Sequence, residues 1–165
     1  MQIKDVMSHP PVTCPASSTL DHAARLMWEF DCGIIPVVNE EGRLAGVVPD
    51  RDLCMAAYTQ GRPLASIPIT TAMARGVIAS HAGDPIEQAE QLMRDNQIRR
   101  LPVLDGDDRP VGLVSMNDLA RLAARAKRSG VDRELVKTLA AVCQPRGHAT
   151  VASEPVAIAR PALAG

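Results

Sequence analysis

An internal repeat constrains this chain more than any other feature: adding 66 to a residue number in the first half lands, without a gap, on a like residue in the second. Met7 maps to Met73, Leu20 to Ile86, Ala23 to Ala89, Leu26 to Leu92, Met27 to Met93, Pro36 to Pro102, Gly46 to Gly112, Asp52 to Asp118 and Leu53 to Leu119. A copy of roughly 60 residues is too small to bury a comfortable core alone. The two copies are therefore expected to pack through their sheets as one folding unit with pseudo-twofold symmetry.

Each copy reads β-α-β-β-α, a mixed α/β (α+β) pattern. A short apolar piece opens it (Val12-Thr13; Val77 to Ala79). A helix follows, with apolar residues at spacings of three and four: Leu20, Ala23, Ala24 and Met27, then Ile86, Ala89 and Met93. Asp84 is expected to cap the second of these helices, with Pro85 in its first turn and Glu87 closing a capping box, and Ser18 and Asp21 take those parts in the first copy. The runs 34–38 and 44–48, and 101–104 and 111–114, read as two hairpins. Pro36 and Pro102 inside them argue for edge strands, because proline cannot donate to a ladder. The expected division is copy 1 over 1–59, a connector over 60–70, copy 2 over 71–128 and a helical segment over 129–144 on the spacing of Leu135, Leu139 and Val142. Residues 145–165, rich in Ala and Pro without periodicity, are expected to be disordered.

Composition narrows the function. With 46% hydrophobic residues the chain is globular, yet it holds one Trp, one Tyr and one Phe, too few for an aromatic nucleic-acid platform. A net charge of -1 gives no field toward a polyphosphate strand or an anionic membrane. Cys14, Cys32, Cys54 and Cys143 are scattered and read as reduced thiols, and the four histidines share no spacing with them that would hold a metal. The start lacks a signal-peptide pattern and no apolar run spans a bilayer, so the expected location is cytoplasmic. No phosphate-binding loop, nucleophile elbow or zinc-protease motif is present, so the chain is not expected to be an enzyme.

The segments Ile34-Ile-Pro-Val-Val-Asn39 with Gly46-Val-Val-Pro-Asp-Arg-Asp-Leu53, and Leu101-Pro-Val-Leu-Asp105 with Gly112-Leu-Val-Ser-Met-Asn-Asp-Leu119, resemble the paired motifs of the CBS-domain family over about residues 3 to 126. The resemblance implies a tandem pair, a Bateman module, that binds AMP, ADP or ATP, with NAD and S-adenosylmethionine as further candidates, and that assembles as a disc-shaped homodimer. It also implies roles: ribose on Asp118, ribose or phosphate on Ser115, phosphate on Arg99 and Arg100. In the first copy Asp52 is present, but Pro49 replaces the hydroxyl residue and Cys32-Gly33 stand where Ile98-Arg99 stand in the second, which leaves Arg51 as the substitute cation there.

The chemistry is sound apart from the family. A carboxylate accepts bonds from both hydroxyls of a ribose, and arginine forks onto phosphate. The base is expected in an apolar slot near Val12, Ile78 and Val114, with Gly112 leaving it room, and Thr13 and Gly33 are further candidate ligand contacts. Asp52 and Asp118 also fall in the first turn of a predicted helix, where an acid caps free N–H groups. The expected function is regulatory: ligand in the seam shifts the angle between the copies, and an effector protein reads the change. The alternative is a structural dimerisation or protein-interaction module with empty, degenerate clefts. Trp28, the counterpart of Arg94, is read as a subunit contact over a peripheral core residue, and the helix side carrying Arg121, Arg125, Lys127 and Arg128 as a solvated face over a surface for an anionic partner.

Overall fold

The computed structural model of the chain describes residues 1–125 and 129–145. Among the described residues two three-stranded sheets and five α-helices form the fold. In the first copy β1 (Cys14–Pro15) is followed by α1 (Leu20–Glu29), β2 (Ile34–Val38), β3 (Leu44–Pro49) and α2 (Asp50–Gln60). The second runs β4 (Ser80–His81), α3 (Ile86–Asn96), β5 (Arg100–Leu104), β6 (Pro110–Ser115) and α4 (Met116–Arg125), and α5 (Ser129–Val142) closes the described chain. Each sheet pairs its first strand in parallel with its second and its second antiparallel with its third.

The symmetry is built by exchange of segments. Ile67 and Ile69, in the stretch read as a connector, are fully buried in the first core, and Ile3 is fully buried in the second. Each such side chain contributes about 1.5–3 kcal/mol by burial. Ser8 bridges Leu113 while Ala74 bridges Val47, and Gln2 bridges Pro85 while Pro68 bridges Thr19. Every one of these pairs becomes the other under the 66-residue shift. The same shift relates the left-handed residues, Asp31 to Gln97 and Gly42 to Asp108.

Pro36 and Pro102 lie in the middle strands, not at the edges. Val47 turns its N–H and carbonyl outward to Ala74, 3.0 and 2.9 Å away, so Pro36 opposite it also turns its nitrogen away from β3. On that side β1 begins pairing only at Val37, so the missing N–H is not needed. Pro102, opposite Leu113 and one residue before Val103 meets Ser80, repeats the arrangement.

The helix starts also depart from expectation. Thr19 and Pro85 occupy the cap positions and neither makes a side-chain cap bond. Asp84 instead accepts the His81 N–H at 2.8 Å and the Gln88 amide at 3.1 Å, closing the turn before α3. Ser18 bonds His22 Nδ1 at 2.7 Å. On α5, Leu135 and Val142 join the second core, while Leu139, expected beside them, is 40% exposed. This helix lies on α3 and α4, and Arg94 donates to the buried Thr138 hydroxyl at 2.8 Å. Residues 146–165 of the tail and 126–128 lie outside the described residues.

Candidate functional site

A cleft of about 410 Å³ opens at the seam between the copies, within the range of about 300–1,000 Å³ typical of small-ligand sites. One wall is the chain from Ser8 to Val12 as it passes from the second sheet to the first. A second wall is the turn from α1 into β2, carrying Phe30, Asp31, Cys32 and Gly33. The third comes from the other copy: Arg100 at the start of β5, Ser115 at the end of β6, and Asn117, Asp118 and Arg121 on α4.

Asp118 is 5% exposed and anchored by a reciprocal cap. Its Oδ2 accepts the Ser115 N–H at 2.8 Å and the Ser115 hydroxyl at 2.6 Å, while its own N–H donates to Ser115 Oγ at 3.3 Å. Its Oδ1 faces the Ser8 hydroxyl at 3.5 Å and pairs with the Arg121 guanidinium. Helix capping and a carboxylate lining the cleft are thus properties of one side chain. Arg100 reaches across the seam, its Nη1 3.5 Å from the Gly33 carbonyl. A Cβ at Gly33 would stand 2.9 Å from Arg100 Nη2 and 2.6 Å from Asp50 Oδ2, so a side chain there would push the guanidinium or the Asp50 carboxylate aside. Burial pushes the Cys32 thiol up, with the Arg100 charge opposing.

Five of the residues expected from the sequence line this cleft: Asp118, Ser115, Arg100, Val12 and Gly33. The others do not. Arg99 is exposed and contributes its carbonyl to Met116 N–H at 2.9 Å. In the repeat register Arg99 is the counterpart of Gly33, Ile78 of Val12, Arg51 of Asn117 and Asp52 of Asp118, so each corresponds to a residue of this cleft without lining it. Pro49, the counterpart of Ser115, leaves α2 without a side-chain cap bond. Thr13 sits half-buried ahead of β1, and Val114 is fully buried in the second core. Gly112 makes room for Met7 rather than for a base: a Cβ there would collide with the Met7 thioether and stand 3.1 Å from the Ser8 carbonyl. Reading the sequence alone missed Ser8, His9, Phe30 and Asp31; Arg121, read as part of a solvated face, is exposed and also borders the cleft. The register identifies counterparts but not neighbours across the seam.

Cys14 Sγ lies 3.6 Å from His22 Nδ1, but the thiol is fully buried and burial pushes its pKa up, the reverse of an activated nucleophile. Among the described residues no three His, Cys, Asp or Glu side chains gather as a metal site, and no helix is long and apolar enough to cross a membrane.

Comparison with known proteins agrees with this geometry. The sequence profile of the CBS domain matches twice, over residues 3–58 and 66–125. The CBS domain-containing protein YhcV of Bacillus subtilis is 37% identical over 118 residues, covering 72% of this chain and 82% of that one. The L-aspartate semialdehyde sulfurtransferase of Methanocaldococcus jannaschii is 29% identical over 120 residues, which is 73% of this chain but only 23% of that enzyme. Among solved structures, the CBS domain pair of protein MJ0100 in complex with 5′-methylthioadenosine and S-adenosyl-L-methionine superposes with a TM-score of 0.68 at 29% identity, covering 75% of this chain and 96% of that one. Two matched domains, joined by exchanged segments around a shared cleft, establish that the chain belongs to the CBS-domain family as a tandem pair.

Proposed function

We propose that this chain is a non-catalytic regulatory module that binds an adenine nucleotide in the seam cleft and signals by the change in angle between its two copies. The observation that carries the reading is the buried carboxylate of Asp118, fixed by Ser115 on one oxygen and turned to the cleft on the other. The ribose sits on that carboxylate, the base against Val12, Pro11 and Phe30, and the phosphate toward Arg100. The adenosyl ligands of the MJ0100 domain pair support the ligand class. Because the walls come from both copies, a ligand that fits one relative angle better shifts the population toward it, and an effector protein reads the result.

Equilibrium binding to AMP, ADP, ATP, NAD and S-adenosylmethionine tests this reading, on the wild type and on Asp118→Asn. The variant should bind at least tenfold more weakly while losing only about 1 kcal/mol of stability, the order of one helix cap. Binding that survives in Asp118→Asn unchanged, or is absent from the wild type, refutes the assignment.

One observation favours a second role, a homodimer contact. Trp28 on α1 is 90% exposed and Tyr58 on α2 is 82% exposed, whereas Arg94, the counterpart of Trp28, is bonded to α5. Exposed aromatics of this size are typical interface anchors. Trp28→Arg should lower the mass measured by light scattering from dimer toward monomer, and an unchanged mass removes the role.

A further inference from the structure

Asp118 is already engaged on both carboxylate oxygens. An ionised carboxylate offers about four lone-pair sites, and four donors already approach it: the Ser115 N–H and hydroxyl on Oδ2, the Ser8 hydroxyl and the Arg121 guanidinium on Oδ1. The two on Oδ2 cap α4. The two on Oδ1 belong to residues that line the cleft. A ribose arriving at this carboxylate therefore competes for Oδ1 with the Arg121 guanidinium and with the longer Ser8 contact. The two partners differ in freedom, since the Asp118 side chain is 4% exposed and that of Arg121 is 59% exposed. The carboxylate stays and the guanidinium moves.

Where the guanidinium goes decides the ligand. A phosphate on the incoming nucleoside gives Arg121 a new charge-assisted partner inside the same cleft, so one ion pair is exchanged for another. An uncharged nucleoside leaves the cation without a counter-charge and the nearly buried carboxylate with neutral donors only, a costly arrangement. A sulfonium ligand adds a third positive charge to those of Arg121 and Arg100. We infer that Arg121 makes this cleft selective for anionic adenine nucleotides over uncharged or cationic adenosyl compounds, by passing from Asp118 to the ligand's phosphate as the ribose takes its place. The inference rests on the function proposed above and narrows it to one ligand class. It also separates this chain from the MJ0100 pair, whose ligands are 5′-methylthioadenosine and S-adenosyl-L-methionine.

The repeat supplies the test variant, because Met55 stands at the counterpart position and removes the charge at similar length. Calorimetric titration with AMP, adenosine, 5′-methylthioadenosine and S-adenosylmethionine is made on the wild type, Arg121→Met and Arg121→Lys, with thermal melting as the check that each variant is folded. The wild type should prefer AMP to adenosine by at least tenfold, and S-adenosylmethionine should bind more weakly than AMP. In Arg121→Met AMP should weaken and adenosine tighten, each about threefold or more, and Arg121→Lys should keep most of the preference. Tighter adenosine binding is the decisive readout, since loss of a simple phosphate contact would leave adenosine untouched. An unchanged preference in Arg121→Met, or a wild type that favours the uncharged or sulfonium ligands, overturns this inference and leaves the seam as an adenosyl site. No binding of any of the four to the wild type overturns both.

Discussion

Gly46 and Gly112 occupy equivalent positions on the two outer strands, yet a methyl group added to each meets different resistance. At Gly46 the new Cβ would stand 2.8 Å from the Ala74 carbonyl, which belongs to the backbone bridge that ties the exchanged segment to β3. At Gly112 the closest atoms are those of the flexible Met7 side chain, with the Ser8 carbonyl at 3.1 Å. Gly46→Ala is thus expected to lower stability by about 1–3 kcal/mol in urea unfolding, and Gly112→Ala by less. Equal losses would show that the side chain at position 7 cannot move aside. At this scale the sequence was a mixed guide. Asp118 and Ser115 could be identified because their spacing repeats a motif, whereas Met7 and Phe30 could not, because their role depends on which surface of the other copy they meet.

Helices and strands were easier to read than their ends and edges. Both hairpins follow from apolar runs of five or so residues around Asn39-to-Gly42 and Asp105-to-Asp108 turns, and β2 falls on the predicted 34–38. The caps were misassigned because Ser18 and Asp84 bond four residues ahead, to His22 and Gln88, a choice that periodicity does not encode. Seating α5 on α3 also brings acids together. Glu90, 7% exposed on α3, has its carboxyl pushed up chiefly by burial, with Glu134 and Glu87 adding to the shift and Arg94 opposing it. A carboxyl raised in the folded state stabilises fully below its unfolded pKa, and that contribution is lost as pH rises through the folded value. Glu90→Gln should therefore unfold at higher temperature than the wild type at pH 7, with the difference shrinking as pH falls toward the ordinary carboxylate value near 4.5. A difference independent of pH would assign the effect to packing.

Across the whole molecule, the two seams are related by symmetry but unequal in chemistry. Where the first cleft has Ser115 and Arg121, the register places Pro49 and Met55 in the second. Calorimetry should accordingly return one nucleotide per chain, and Asp52→Asn should leave that affinity unchanged. A stoichiometry of two would mean that Arg51 and Arg99 rebuild the missing contacts. The exchange of leading segments carries a consequence for the chain as an object. A cut anywhere in the loop between Gln60 and Leu64 would leave each fragment holding a strip of the other's interior, Ile3 on one side, Ile67 and Ile69 on the other. The halves are clasped rather than stacked, so neither keeps a complete interior once the other is removed.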